Sequence, residues 1–161
     1  MKRRREKWGD IFTCDGVHMK TWFKEPGIAG RTHAFNMYDE VTKTKYSDAN
    51  VHEDALALQA SINFVRGDDH IHRAYADGAR VHPKVFKNLG IMYEPSHPGI
   101  PQTNGIIENV NKDITKGGIA ANVQAGLPAC FWPYSQPAYC HMESISIDED
   151  GKSAYFRRHN F

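Results

Sequence analysis

The sequence predicts an α/β domain, a mixed central sheet of about five strands flanked by helices. Three observations lead there. Short apolar runs of strand length recur at residues 11–14, 33–38, 43–49, 71–76 and 91–93. The last two enclose a short helical stretch, a β-α-β rhythm that calls for parallel neighbours with helices packed over them. Further segments around residues 55–65 and 106–114 place apolar groups at helical spacing.

In chain order, Ile11-Phe12-Thr13-Cys14 reads as a buried strand that delivers Asp15 at its end, and Lys24-Glu25-Pro26-Gly27 with Gly30 reads as a turn. Residues 33–38 and 43–49 are expected to pair as a hairpin across Asp39-Glu40. From Val51 the pattern turns helical through Ala55, Leu58, Ile62 and Val65, with Asp48 or Asn50 as the expected cap and Gly67 as the stop. Residues 71–76 lead as a strand into Asp77-Gly78. A short helix over 83–89, closed by Gly90, and a strand at 91–93 follow.

Three prolines and a glycine between Pro95 and Pro101 predict a loop. Thr103 or Asn104 is the expected cap of the next helix, which carries Ile106, Ile107, Val110 and Ile114 and is expected to end at Gly117-Gly118. Glu108, Lys112 and Lys116 share one face of it. The aromatic-rich stretch 127–142 predicts a helix begun or interrupted at Pro133, with Trp132 assigned to packing. The residues flanking Asp150-Gly151 suggest a hairpin.

The 161 residues fit one domain. With 20 Lys plus Arg against 19 Asp plus Glu the net charge is +1, so no global field selects a polyanion and any nucleic-acid binding must come from local placement. Lys2, Arg3, Arg4, Arg5 and Lys7 form a basic tail over residues 1–7, and a second basic group comprises Lys112, Lys116, Arg157 and Arg158. Three cysteines with no secretory segment ahead of them argue for a reducing, intracellular setting. No apolar run approaches the roughly 18 residues of a membrane span. The nine histidines show no zinc spacing; His70-Ile71-His72 would put two rings on one side of a strand without further ligands.

Asp15 and Asp77 at strand ends, and Glu108 on a helix after the proline-rich loop, form the kind of all-oxygen set that holds Mg²⁺ or Mn²⁺. Two such ions about 4 Å apart can activate the attacking oxygen and stabilise the leaving oxygen of a phosphodiester displacement. Asp69 is the fallback for Asp77. Each acid taken singly also has a plain structural role: a turn cap for Asp15, a surface turn for Asp77, helix-start neutralisation for Glu108.

Ile100-Pro101-Gln102-Thr103-Asn104-Gly105-Ile106-Ile107-Glu108-Asn109-Val110-Asn111-Lys112 resembles the Pro-Gln-x-x-Gly-x-x-Glu signature of retroviral-type and retrotransposon integrase cores. Thr13-Cys14-Asp15-Gly16-Val17-His18 resembles that family's first acidic strand, Tyr38-Asp39-Glu40-Val41-Thr42 the turn after its second strand, and Asp77-Gly78 its second acidic position. Many members have Asp-Asn-Gly where this chain has Asp77-Gly78-Ala79, and the 30 residues between Asp77 and Glu108 are fewer than in retroviral members.

The resemblance implies a ribonuclease-H-like fold over about residues 8–143, with 144–161 as a C-terminal extension that begins a downstream segment. It implies Asp15, Asp77 and Glu108 as catalytic, metal-binding residues on two Mg²⁺ or Mn²⁺ ions, and His18, Gln102, Asn104, Asn111, Lys112 and Lys116 as DNA-facing ones. The implied activity is DNA 3′-end processing and strand transfer by a homo-oligomer that brings element ends to target DNA, nuclear in a eukaryotic host and otherwise intracellular. The alternatives are an inactive, domesticated or decayed DNA-binding descendant, and a related metal-dependent nuclease.

Overall fold

The computed structural model describes residues 5–19, 25–77, 81–95 and 101–159, with the side chains of 101–104 left aside. Most of the basic tail, Gly78-Ala79, most of the 95–101 loop and the side chains of Gln102 and Asn104 therefore lie outside the described residues.

Five strands form the expected mixed sheet. They are β1 (Phe12–His18), β2 (His33–Asp39), β3 (Lys45–Asn50), β4 (Arg73–Ala76) and β5 (Met92–Pro95), in the order β3-β2-β1-β4-β5. The first three are antiparallel neighbours, while β4 and β5 run parallel to β1. The hairpin between β2 and β3 is closed by a buried carboxylate: Asp39 accepts bonds from the Thr42 N–H at 2.7 Å, the Thr42 hydroxyl at 2.6 Å and the Gly9 N–H at 3.1 Å. β1 continues three residues beyond Asp15, because its partner β2 offers a full antiparallel ladder as far as His33.

Side-chain alternation divides the sheet into two faces. Phe12, Cys14, Phe35, Met37, Ala74 and Ala76 face a core completed by helices α1 (Ala55–Arg66) and α2 (His82–Asn88). The opposite face receives Ile107, Val110 and Ile114 of α3 (Pro101–Ala125), with Cys140 of α4 (Trp132–Ile145). All three cysteines are free.

Helix α1 is capped by Asp54, whose Oδ1 accepts from the N–H groups of Leu56 and Ala57 at 2.9 Å each, and it ends at Gly67 with φ 55°. The expected caps have another task. Asp48 accepts from the Ser61 hydroxyl at 2.6 Å and Asn50 donates to it at 3.1 Å, so both fasten β3 to the middle of the helix.

Helix α3 passes through Gly117-Gly118 instead of stopping there. These glycines let α4 approach: a Cβ on Gly117 would collide with the Tyr139 ring, and one on Gly118 would lie 2.7 Å from Gln136 Cγ. The helix also starts earlier than expected, at Pro101, where the missing N–H costs nothing in a first turn. Thr103 and Asn104 are thus inside it. Trp132 and Pro133 open α4, and Trp132 is buried as expected for a packing residue.

The expected C-terminal hairpin is reduced to one bridge, Ile147 with Ser153, and the chain then turns into α5 (Ala154–His159). This helix returns to the core. The Arg158 guanidinium lies 4.1 Å over the Trp8 ring and donates to Tyr46 Oη at 2.7 Å, Asp69 Oδ2 at 3.0 Å and the Val65 carbonyl at 3.3 Å. Removing one stacked cation and its charge-assisted bonds costs about 2–3 kcal/mol. Arg158→Ala is therefore expected to lower the urea midpoint with the slope unchanged, and a midpoint equal to wild type would show that α5 adds nothing to the fold.

Candidate active site

Asp15 belongs to the α3 face of the sheet because its neighbours Cys14 and Phe12 are spent on the other face. Its register partner across β1 and β2 is Asn36, which is fully buried. Asn111 of α3 joins the two. Asn36 Nδ2 donates to Asn111 Oδ1 at 2.9 Å, which turns the Asn111 amide so that its Nδ2 donates to Asp15 Oδ2 at 2.8 Å. One hydrogen-bonded chain thus runs from β2 through α3 to β1.

The Asp15 carboxyl is held above the ordinary carboxylate range, chiefly by burial. The Asn111 bond pulls it down, the charge of Asp77 pushes it up, and the Gly16 N–H and the His82 ring pull it down again. Burial next to a second carboxylate leaves negative charge that the protein compensates only in part.

Asp77 follows β4 directly. The parallel register pairs Cys14 with Ala76, so Asp15 and Asp77 are the next residues on adjacent strands. Its side chain is half exposed, but its position is held from below: His82 Nδ1 lies 2.9 Å from Asp77 Oδ1 and 3.0 Å from the Asp77 carbonyl, and the Tyr93 hydroxyl donates to the same carbonyl at 2.7 Å. Asp69, the fallback ligand, is paired with Arg158 at 3.0 Å on the side of α5.

Glu108 is exposed on α3, one turn before Asn111. It shares the helix with the residue that grips Asp15, yet among the described residues no three His, Cys, Asp or Glu side chains are gathered closely enough to hold a metal ion. The parallel register sets Asp15 and Asp77 next to each other, and α3 carries Glu108 one turn from the residue that grips Asp15. Two adjacent carboxylates, one half-buried and the other half exposed, are an all-oxygen donor set of the kind that suits a hard divalent cation.

Lys112 and Lys116 are exposed on the same helix. His18 ends β1 at the surface, its ring 4.7 Å from that of His33 and edge-on to it. Asn111, expected to face DNA, spends its amide on Asp15 and Asn36. The rings of His70 and His72 do lie on one side, 4.8 Å apart. Sequence reasoning passed over Asn36 and His82. The first had one visible signal, a polar residue on a strand whose neighbours on both sides are apolar.

A mixed five-stranded sheet in the order β3-β2-β1-β4-β5 with helices packed on both faces is the fold of the ribonuclease-H-like class of α/β proteins. Within that class the chain has the fold of retroviral integrase catalytic cores. It is similar to a chain of the simian T-cell lymphotropic virus intasome in complex with PP2A regulatory subunit B56 gamma, with TM-score 0.77 and 12% identity over 98% of this chain and 56% of that one. It is also similar to the catalytic core domain of BIV integrase, with TM-score 0.64 and 17% identity over 90% of each. The chain thus spans little more than half of the intasome chain it matches. No protein-family model matches the sequence, and no curated protein matches it.

Proposed function

We propose that this chain is an integrase catalytic core that processes DNA 3′ ends and joins them to target DNA with two Mg²⁺ or Mn²⁺ ions. The observation that carries the reading is the Asp15–Asp77 pair, abreast on parallel strands and tied through Asn111 to the helix that bears Glu108. Asp15, Asp77 and Glu108 are the residues that would hold the cations. Bound there, divalent cations supply activation of the attacking oxygen and charge stabilisation of the leaving one.

The protein's own residues do the rest. Asn111 fixes the rotamer of Asp15, and Glu108 is brought in from α3. Lys112 and Lys116 give that helix a basic side for phosphates, with His18, Gln102 and Asn104 around the DNA end. Two DNA ends require at least two copies of the chain, and exposed Ile119 and Val123 on α3 offer apolar surface for such a contact. Nuclear localisation in a eukaryotic host follows from this reading. Among the described residues no helix is long and apolar enough to cross a membrane.

Short labelled duplexes with Mn²⁺ test the proposal. Joined or reverse-joined products that vanish in Glu108→Gln are expected. Cut products without joined ones would make the chain a nuclease, and DNA binding with no metal-dependent product would make it an inactive descendant.

A further inference from the structure

His82 lies outside every motif of the sequence, yet it is among the most buried polar side chains, with 2% of its surface exposed. It opens α2 two residues after the segment that follows Asp77, and its ring is enclosed by aromatic groups. The ring centroids of Phe86, Tyr93 and Phe35 lie 5.8, 6.3 and 6.5 Å away. Aromatic walls alone would be served as well by a phenylalanine. A histidine here carries one polar nitrogen to one place: Nδ1 faces two oxygens of the same residue, Asp77 Oδ1 at 2.9 Å and the Asp77 carbonyl at 3.0 Å.

Both are acceptors, so Nδ1 carries the hydrogen. A buried ring held on three sides cannot follow a moving partner; the partner is held by the ring. Tyr93 adds its hydroxyl to the same carbonyl at 2.7 Å, so backbone and side chain of Asp77 are both tied to the α2 and β5 side of the sheet.

We propose that His82 is a positioning residue for Asp77, setting the carboxylate's rotamer from beneath so that it stands beside Asp15 ready to bind a divalent cation. This rests on the reading of Asp15 and Asp77 as metal ligands. Its role parallels that of Asn111 toward Asp15. Each carboxylate of the pair then has its own amide or imidazole donor, one from α3 above the sheet and one from α2 below it, and the two hold the pair in spite of its mutual repulsion.

Mn²⁺ binding to the full chain, followed by the electron paramagnetic resonance of the free ion, tests it with three variants. His82→Asn keeps a donor near the Nδ1 position, His82→Gln moves it outward, and His82→Phe fills the space without one. Loss of a partner behind a metal ligand costs about 10- to 100-fold in metal affinity. His82→Phe and His82→Gln are expected to lose that much, and His82→Asn to keep affinity within a few-fold of wild type. Thermal midpoints taken without metal show that each variant is folded; if His82→Phe does not fold, the contrast between Asn and Gln decides. Equal Mn²⁺ affinity in all folded variants, while Asp77→Asn abolishes binding, would overturn the role of His82 and leave the metal site standing. Undiminished binding in Asp77→Asn would overturn the site itself, and His82 with it.

Discussion

Asp15→Asn is expected to abolish strand joining and at the same time to raise the thermal midpoint of the metal-free protein. The loss follows from the proposed place of Asp15 among the cation ligands: cation stabilisation of the reacting oxygens would contribute several kcal/mol, and at one decade per 1.4 kcal/mol this is about a thousandfold in rate. The gain follows from burial. The wild-type carboxylate is desolvated and faces Asp77, whereas an asparagine keeps an oxygen to accept the Asn111 bond without the charge.

The pH dependence has a definite sign. Folding raises the proton affinity of Asp15 above its ordinary value of 3.8, so the group's stabilising share is complete below 3.8 and is lost as pH rises through the raised folded value. The difference between Asp15→Asn and wild type should therefore vanish in acid and grow toward neutral pH. A gain of order 1 kcal/mol would appear as about 2–4 °C in a domain of this size. Added Mn²⁺ should stabilise wild type and leave the variant unmoved, because only a ligand that binds the folded state shifts the midpoint. A variant less stable than wild type at pH 7 without metal would refute the account of Asp15 as a strained carboxylate.

Gly117→Val is expected to destabilise the domain by about 2–3 kcal/mol, through overpacking between α3 and α4. The Tyr139 ring that a new side chain would meet cannot swing away freely, since its hydroxyl donates to the Asp113 carboxylate at 3.1 Å. Gly105 provides the control on the same helix, with nothing within 4 Å of an added Cβ. Gly105→Ala should stabilise by about 0.5–1 kcal/mol through helix propensity alone, while Gly117→Ala should destabilise. Chemical denaturation of the two alanine variants reads the sign directly, and stabilisation by both would show that the helices do not depend on the close approach.

Local rules explain where the sequence could be read and where it could not. The strands, the β2–β3 hairpin, the helix ending at Gly67 and the parallel arrangement of β4 with its neighbours all follow from apolar periodicity and turn residues, which act over a few positions. Gly117-Gly118 misleads for the same reason. A glycine pair in a helical pattern signals an end when only local propensity counts, and here the interhelical contact overrides it. Likewise Asp48 and Asn50 could cap only a helix that began near Val51; the helix begins at Ala55 under Asp54, and the strand they belong to holds them against Ser61.

The sequence by itself determined the α/β class, the strand that bears Asp15, the strand that leads into Asp77, and the helix on which Glu108, Lys112 and Lys116 share a face. Only the tertiary structure decided that Asp15 and Asp77 stand side by side, that Asn111 is spent on Asp15, and that Asn36 and His82 lie behind the carboxylates. The division is physical. Periodicity and turn chemistry are written in neighbouring residues, whereas a hydrogen bond between residues 15 and 111, or the burial that raises a carboxyl's proton affinity, exists only once sheet register and helix packing have brought distant segments together.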